Sequence, residues 1–362
     1  MGVNITQPGL QQAKVAPTRR RDVFGQIRGN YVVRSLFRVV VTIWFVASLL
    51  FFLFRLLPSN PIDVYIQDAI VQRGMSVDQA RSEATSLFAV DLNRPIYFQY
   101  FDYMKELAHF NLGKSLISKS TPVSGIVRTY LPWTLFTVGL GLTISFTLGM
   151  ALGTMMAYRR ESLFDHVLST LFAFLHGIPQ FLLGLLIIFW GGVRFQLFDI
   201  GKQRGALTPG VEVGFTIVFF ADVLRHAWLP ILAYVLTSIS HWALLMKNAT
   251  TAVLEEDFVT VARARGLSDQ RIASSYVARN SVLPLVTQAA IAFGFALGGA
   301  AIIETVFVYR GLGARLGEAL NARDYPVMQG ILIIITAAIV ISNLVADVLY
   351  SRIDPRIRVG GR

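Results

Sequence analysis

The sequence predicts an all-α membrane protein with six transmembrane helices, and three observations carry that prediction. Six apolar runs are each long enough, at about 20 residues, to cross a bilayer. Hydrophobic residues make up 54% of the 362 and charged ones only 15%, with mean hydropathy +0.55. A soluble chain could not bury that much apolar surface and still cover itself with polar groups. The basic residues concentrate in the segments between alternate runs, which orients both termini to the cytoplasm. Net charge alone, +11, would suggest nucleic acid or an anionic surface. Its distribution, nearly all on the proposed cytoplasmic side, reads as membrane orientation instead. The chain has no cysteine, which excludes thiol catalysis and thiolate metal sites.

Taken in order, residues 1–30 are polar, carry Arg19-Arg20-Arg21, and read as a flexible cytosolic tail rather than a signal peptide. The first transmembrane helix falls within 31–57, its apolar run 39–57 interrupted only by Arg55, which can snorkel to the interface. Residues 58–131 form an extracytoplasmic helical loop domain. In it Ser76-Val-Asp-Gln79 is a capping box opening a helix to about Phe88. Beyond Asn93-Arg94-Pro95 a second helix over 96–109 carries Tyr97, Phe98, Tyr100, Phe101 and Tyr103. These aromatics read as packing against a neighbour or lying at headgroup level, with ligand contact the lesser reading.

Residues 132–350 form the core domain, with apolar runs at 132–157, 168–192, 227–246, 284–307 and 327–350. Gly149 with Gly153, and Gly294 with Gly298, give small residues four apart, suited to close helix packing within the chain. The run 213–220 is too short to span and reads as interfacial or as a short helix. Segments 1–38, 158–167, 247–283 and 351–362, the last a cytosolic tail, fall inside under this topology.

Little catalytic chemistry is written in the chain. Asn111-Leu-Gly-Lys-Ser115 resembles the end of a phosphate loop, but position 108 is Ala where the motif needs Gly. The five histidines show no metal-ligand spacing, and no serine–histidine or paired-carboxylate arrangement sits in one span. Glu304 and Asp347, near the ends of spans five and six, are read as facing protein, water or a basic partner. His176-Gly-Ile-Pro179 breaks span three and reads equally as a pathway-lining bend or a structural kink. His176, Pro179, Phe181 and His241 are the pathway candidates, although a lone intramembrane histidine is more often a packing residue.

The soluble stretch 247–283 is the most informative. Glu255-Glu-Asp257 favours a helix start, Arg263 and Arg265 a helix end, and Gly266 a left-handed cap. Phe258, Val261 and Ala262 form an apolar stripe, Ser268 can cap a following helix, and Pro284 can open span five. A short helix held to a span suits docking in a partner's groove; lying on headgroups is the alternative.

Asp257-Phe-Val-Thr-Val-Ala-Arg-Ala-Arg-Gly-Leu267 followed by Arg279-Asn-Ser-Val-Leu-Pro-Leu285 resembles the "EAA" loop of permease subunits of bacterial ABC importers. The dipeptide/oligopeptide/nickel branch is the most similar, and its first-permease type in particular. Leu92-Asn-Arg-Pro95 with Tyr100, Asn111-Leu-Gly-Lys-Ser115 with Pro122-Val123, Pro132-Trp-Thr-Leu135, Glu304-Thr-Val-Phe307 with Gly311-Leu-Gly313, Arg323-Asp-Tyr-Pro326 and Asp354-Pro-Arg-Ile-Arg358 match further segments in order. Departures are Glu255-Glu256 in a loop without Glu-Ala-Ala and Phe110-Asn111 where the family often has Gly-Asp.

The resemblance implies a non-enzymatic subunit of the bacterial inner membrane, multi-pass, forming half of a pathway for short peptides. Nickel, glutathione or glycosides are alternative cargoes of the branch, and a self-sufficient secondary transporter is the alternative from another class. Implied partners are a second permease, two ATPase subunits that bind ATP and Mg, a solute-binding protein meeting the outside loop, peptide and lipid, with no nucleic acid and no cofactor in this chain. Glu255, Asp257, Phe258, Val261, Ala262, Arg263, Arg265, Gly266 and Leu267 would form the coupling helix that docks on an ATPase subunit.

Overall fold

The computed structural model describes residues 20–56, 61–88, 95–115, 117–118 and 121–353. Every regular element among them is a helix. The chain runs α1 (Arg20–Leu56), α2 (Pro61–Arg73), α3 (Val77–Phe88), α4 (Ile96–Ala108), α5 (Val123–Tyr158), α6 (Leu163–Gly177), α7 (Gln180–Leu186), α8 (Ile217–Leu254), α9 (Asp257–Ala264), α10 (Asp269–Arg271), α11 (Ala278–Val306), α12 (Leu312–Asn321) and α13 (Tyr325–Ile353). π-helical turns extend α7 through Ile187–Arg194 and join α10 to α11 through Ile272–Val277.

Five helices are long and apolar enough to cross a membrane, covering Val33–Phe54, Val123–Tyr158, Ile217–Leu254, Asp269–Gly298 and Tyr325–Val348. The sixth candidate is a pair, Leu163–Gly177 and Gln180–Arg194, bent by 103°. Pro179 stands at that break as the residue before α7. A proline there removes a donor and clashes with the preceding turn, so the helix cannot continue straight.

Three helices run through a proline that stands near the start of their apolar run. Pro132, Pro230 and Pro284 lie inside α5, α8 and α11, not at their beginnings. The expectation that Pro284 opens span five is thereby corrected: the helical path enters from Asp269 through the π-turn. Prolines are tolerated inside such helices because neighbouring helices and local π adjustment re-satisfy the freed carbonyls. Helix α1 begins at Arg20, within the segment read as a tail. Residues 1–19, 91–94 and 354–362 and the Arg55 side chain, on which other expectations fell, lie outside the described residues.

The bundle is assembled on glycine seams. A Cβ on Gly153 would stand 2.3 Å from the Ala243 carbonyl oxygen, and one on Gly149 2.5 Å from Trp242 Cβ. Only hydrogen at those positions lets α5 and α8 touch backbone to backbone. Gly294 similarly meets Ile339 and Ser342, seating α11 on α13. In the loop domain the capping box is formed: Gln79 N–H donates to Ser76 Oγ (3.3 Å) and Ser76 N–H to Gln79 Oε1 (3.2 Å). Helix α4 divides its aromatics. Tyr100 and Tyr103 pack on Phe51 of α1, and Tyr100 shares a 2.8 Å hydrogen bond with Ser48. Tyr97 and Phe101 are exposed.

Candidate functional site

At one end of the bundle, the short helix α9 hangs between α8 and the α10–α11 path. It ends in a full left-handed cap. Gly266, at φ +73°, donates its N–H to the Arg263 carbonyl (2.9 Å), and Leu267 N–H reaches the Ala262 carbonyl (3.3 Å). This pairing of bonds with an apolar contact behind it is the Schellman motif. Val259 and Ala262 turn inward onto Ile272 and Val277, with Val253, Leu254 and Leu267 around them. Phe258 and Val261 turn outward, 38% and 49% exposed. The stripe read from the sequence therefore divides: Ala262 belongs to the inner face with Val259, a residue the sequence reading missed. The outer face is Phe258 and Val261, bordered by exposed Asp257, Arg263 and Arg265.

Two ion pairs tie this end to the start of α6. Arg160 Nη1 lies 2.8 Å from Glu255 Oε1 on the surface. Lys247 of α8 lies 2.5 Å from Asp165 Oδ1, beneath the surface, and also donates to Ser169 Oγ (2.9 Å). Asp165 is further held by the Glu161 N–H (3.2 Å) and the Ser169 hydroxyl (3.1 Å). Nothing in the sequence pairs residues so far apart; only the α6–α8 contact brings them together.

Midway along the bundle the two histidines meet. The rings of His176 on α6 and His241 on α8 stack at 6.0 Å between centroids and 21° between planes. The Gln288 side chain of α11 lies near His241. Both histidines, Pro179 and Phe181 are exposed on the surface of this chain. The pathway candidates thus share one region at the α6–α7 break, although no ring contact joins Phe181 to the histidines.

The opposite end is closed by buried polar bonds. Glu304 is fully buried on α11 and caps the start of α12, accepting from Gly313 N–H (2.8 Å), Ala314 N–H (3.1 Å) and the Thr134 hydroxyl (2.6 Å). Leu312 N–H donates to Thr134 Oγ1 (2.7 Å). A Cβ on Gly311 would fall 2.0 Å from the Glu304 carboxyl carbon. Ser115, from the stretch that resembles a phosphate loop, donates to buried Asp324 at the start of α13 (2.5 Å). Asp347, by contrast, faces Arg38 of α1 at 3.4 Å.

Residues 149–359 match the family described as "Binding-protein-dependent transport system inner membrane component". A Brucella suis protein provisionally named a peptide permease is 35% identical over 314 residues, 86% of this chain and 93% of that protein. The di/tripeptide transport system permease protein DppB of Pseudomonas aeruginosa is 32% identical over 91% of this chain and 98% of its own length. The glutathione transport system permease protein GsiC of Escherichia coli is 29% identical over 91% and 99%.

Proposed function

We infer the function of this chain from its family: it belongs to the binding-protein-dependent transport system inner membrane components, the permease subunits of bacterial ABC importers, and is a multi-pass inner-membrane protein. It serves a peptide importer, as the names of its relatives indicate. We propose six crossings with both termini cytoplasmic, the bent pair α6–α7 counting as one. The α9 end then faces the cytoplasm and the Glu304 end faces out.

In this reading a second permease completes the pathway and two ATPase subunits bind ATP and Mg. A solute-binding protein delivers short peptide to the outer side, where exposed Tyr97 and Phe101 of α4 are available to meet it. The observation that carries the proposal is the two-faced α9. Its inner face locks it to the end of α8 and to the π-turn that leads into α11, while Phe258 and Val261 stand partly exposed beside Arg263 and Arg265. An isolated helix of eight residues would not hold its shape in water; anchored at both ends, it can transmit a push from a docked subunit to two membrane helices. Closure of the ATPase pair would then swing α8 and α11 as a rigid-body change.

The test is co-expression with the ATPase subunits and the companion permease, followed by purification through this chain. The expected result is a complex that hydrolyses ATP faster when the loaded binding protein is added. Replacing Val261 by Glu should release the ATPase subunits while the two permeases stay paired. Retention of fully coupled ATPase subunits by V261E would overturn the docking assignment.

A further inference from the structure

The histidine pair lies apart from the ion pairs of the bundle, with the Trp242 ring edge-on to His241. His176 and His241 come from two helices and Gln288 from a third, so three elements converge on one polar spot. The carboxylates on those same helices are engaged elsewhere: Asp165 with Lys247, Asp222 with Thr208, and Glu304 with Thr134 and the α12 backbone. Among the described residues no cluster of three His, Asp or Glu could hold a metal ion. Imidazole and carboxamide groups can all donate N–H bonds, and the only charge this set can acquire is positive. The spot also adjoins the 103° break before α7. Broken backbone and exposed histidines are tolerated at membrane depth only where they face protein or a water-filled cavity, not lipid.

We propose that His176 and His241, with Gln288, form a transient binding site for the C-terminal carboxylate of the transported peptide. The proposal rests on the peptide-importer reading above and extends it to this site. A pathway that accepts many side chains needs a handle every linear peptide shares. The C-terminal carboxylate is such a handle, and it is the one these donors complement; the amino terminus offers only further donors. The two histidines are binding residues and take no part in chemistry.

The experiment uses the complete complex in proteoliposomes: both permeases, both ATPase subunits and the binding protein. Trialanine and trialanine amide are each loaded onto the binding protein to measured saturation, and uptake is expressed per loaded binding protein. The acid should move about tenfold faster than the amide, the scale of one lost hydrogen bond to a charged group. In H176F/H241F, which keeps two flat rings and removes the donors, the acid-to-amide ratio should fall to near one. H176Q/H241Q, which keeps an N–H at each position, should retain a clear preference for the acid. A ratio near one in the unaltered complex, or an equal loss of both rates in H176F/H241F, overturns the site. Uptake of neither peptide by an assembled, ATP-hydrolysing complex overturns the peptide-importer reading with it. A second measurement needs no variant: imidazole nitrogen NMR signals of the two histidines in nanodisc-held complex should shift with trialanine and not with the amide. No shift with either counts against the proposal.

Discussion

The two ends of the bundle are held by opposite kinds of contact. At the Glu304 end, a buried carboxylate, a threonine hydroxyl and two backbone N–H groups close on one another out of reach of water, and Ser115 closes on Asp324 close by. At the α9 end, the outermost tie is an exposed Arg160–Glu255 pair, and two apolar side chains stand partly exposed. Breaking a buried, fully satisfied carboxylate strands several donors at about 1–3 kcal/mol each. Breaking an exposed ion pair costs at most about 1 kcal/mol. A permease that changes shape needs both: one end that keeps its seams through every cycle, and one that can exchange contacts with a partner. The Lys247–Asp165 pair lies between these extremes, buried yet placed at the α9 end.

Four substitutions test this contrast, in falling order of effect on stability. Replacing Glu304 by Ala should cost on the order of 4 kcal/mol or more, because three donors lose their acceptor together. The expected readout is collapse of the purified yield and a large fall in thermal midpoint in detergent. E304Q, which keeps an acceptor oxygen, should be milder. If E304A purified at full yield with an unchanged midpoint, the closed end would not be a seam at all. Lys247→Met should cost about 3 kcal/mol, since Asp165 is left buried beside an apolar side chain. The second change D165N should recover part of the loss, and a double-mutant cycle with no coupling would remove the pair from the comparison. Gly266→Val should cost about 1–2 kcal/mol, the strain of a β-branched residue at a left-handed position. Its larger effect is on coupling. Membrane insertion should be normal while stimulation of ATP hydrolysis by loaded binding protein is lost; normal stimulation in the purified mutant complex would falsify the coupling role. Arg160→Ala should move stability by less than about 1 kcal/mol, and high salt should erase the difference.

Much of this architecture was legible because it is local. Apolar length located the long apolar helices, Ser76 and Gln79 announced the start of α3, and the basic–glycine ending at Arg263 to Gly266 announced a left-handed cap that the hydrogen bonds reproduce. What misled was proline. Read as a helix opener, Pro284 trimmed α11, because the opener rule assumes an aqueous helix whose freed carbonyl has no other partner. In a bundle that carbonyl can be satisfied by neighbours, so the helix runs through. The long-range pairings could not be read at all. Glu304 looks like a stray acid in a span until α12 brings its bare N–H groups to it. The α9 stripe failed for a different reason. Phe258 and Val261 share one face, while Ala262 lies about 100° further round and joins Val259. An eight-residue helix is too short for periodicity alone to separate two faces that are both apolar.

The pairing of Asp165 with Lys247 also has a consequence for how the chain is made. With α6–α7 taken as the proposed third crossing, α6 would meet the bilayer before α8 exists, and the aspartate would stay hydrated or protonated until Lys247 emerges. The α6–α8 contact would then form late, when the lysine arrives, whereas the bend at Pro179 needs no partner to form. A ribosome-bound chain ending between α7 and α8 should therefore leave α6 open to extraction or to quality-control proteases. One a few dozen residues longer should hold it fast.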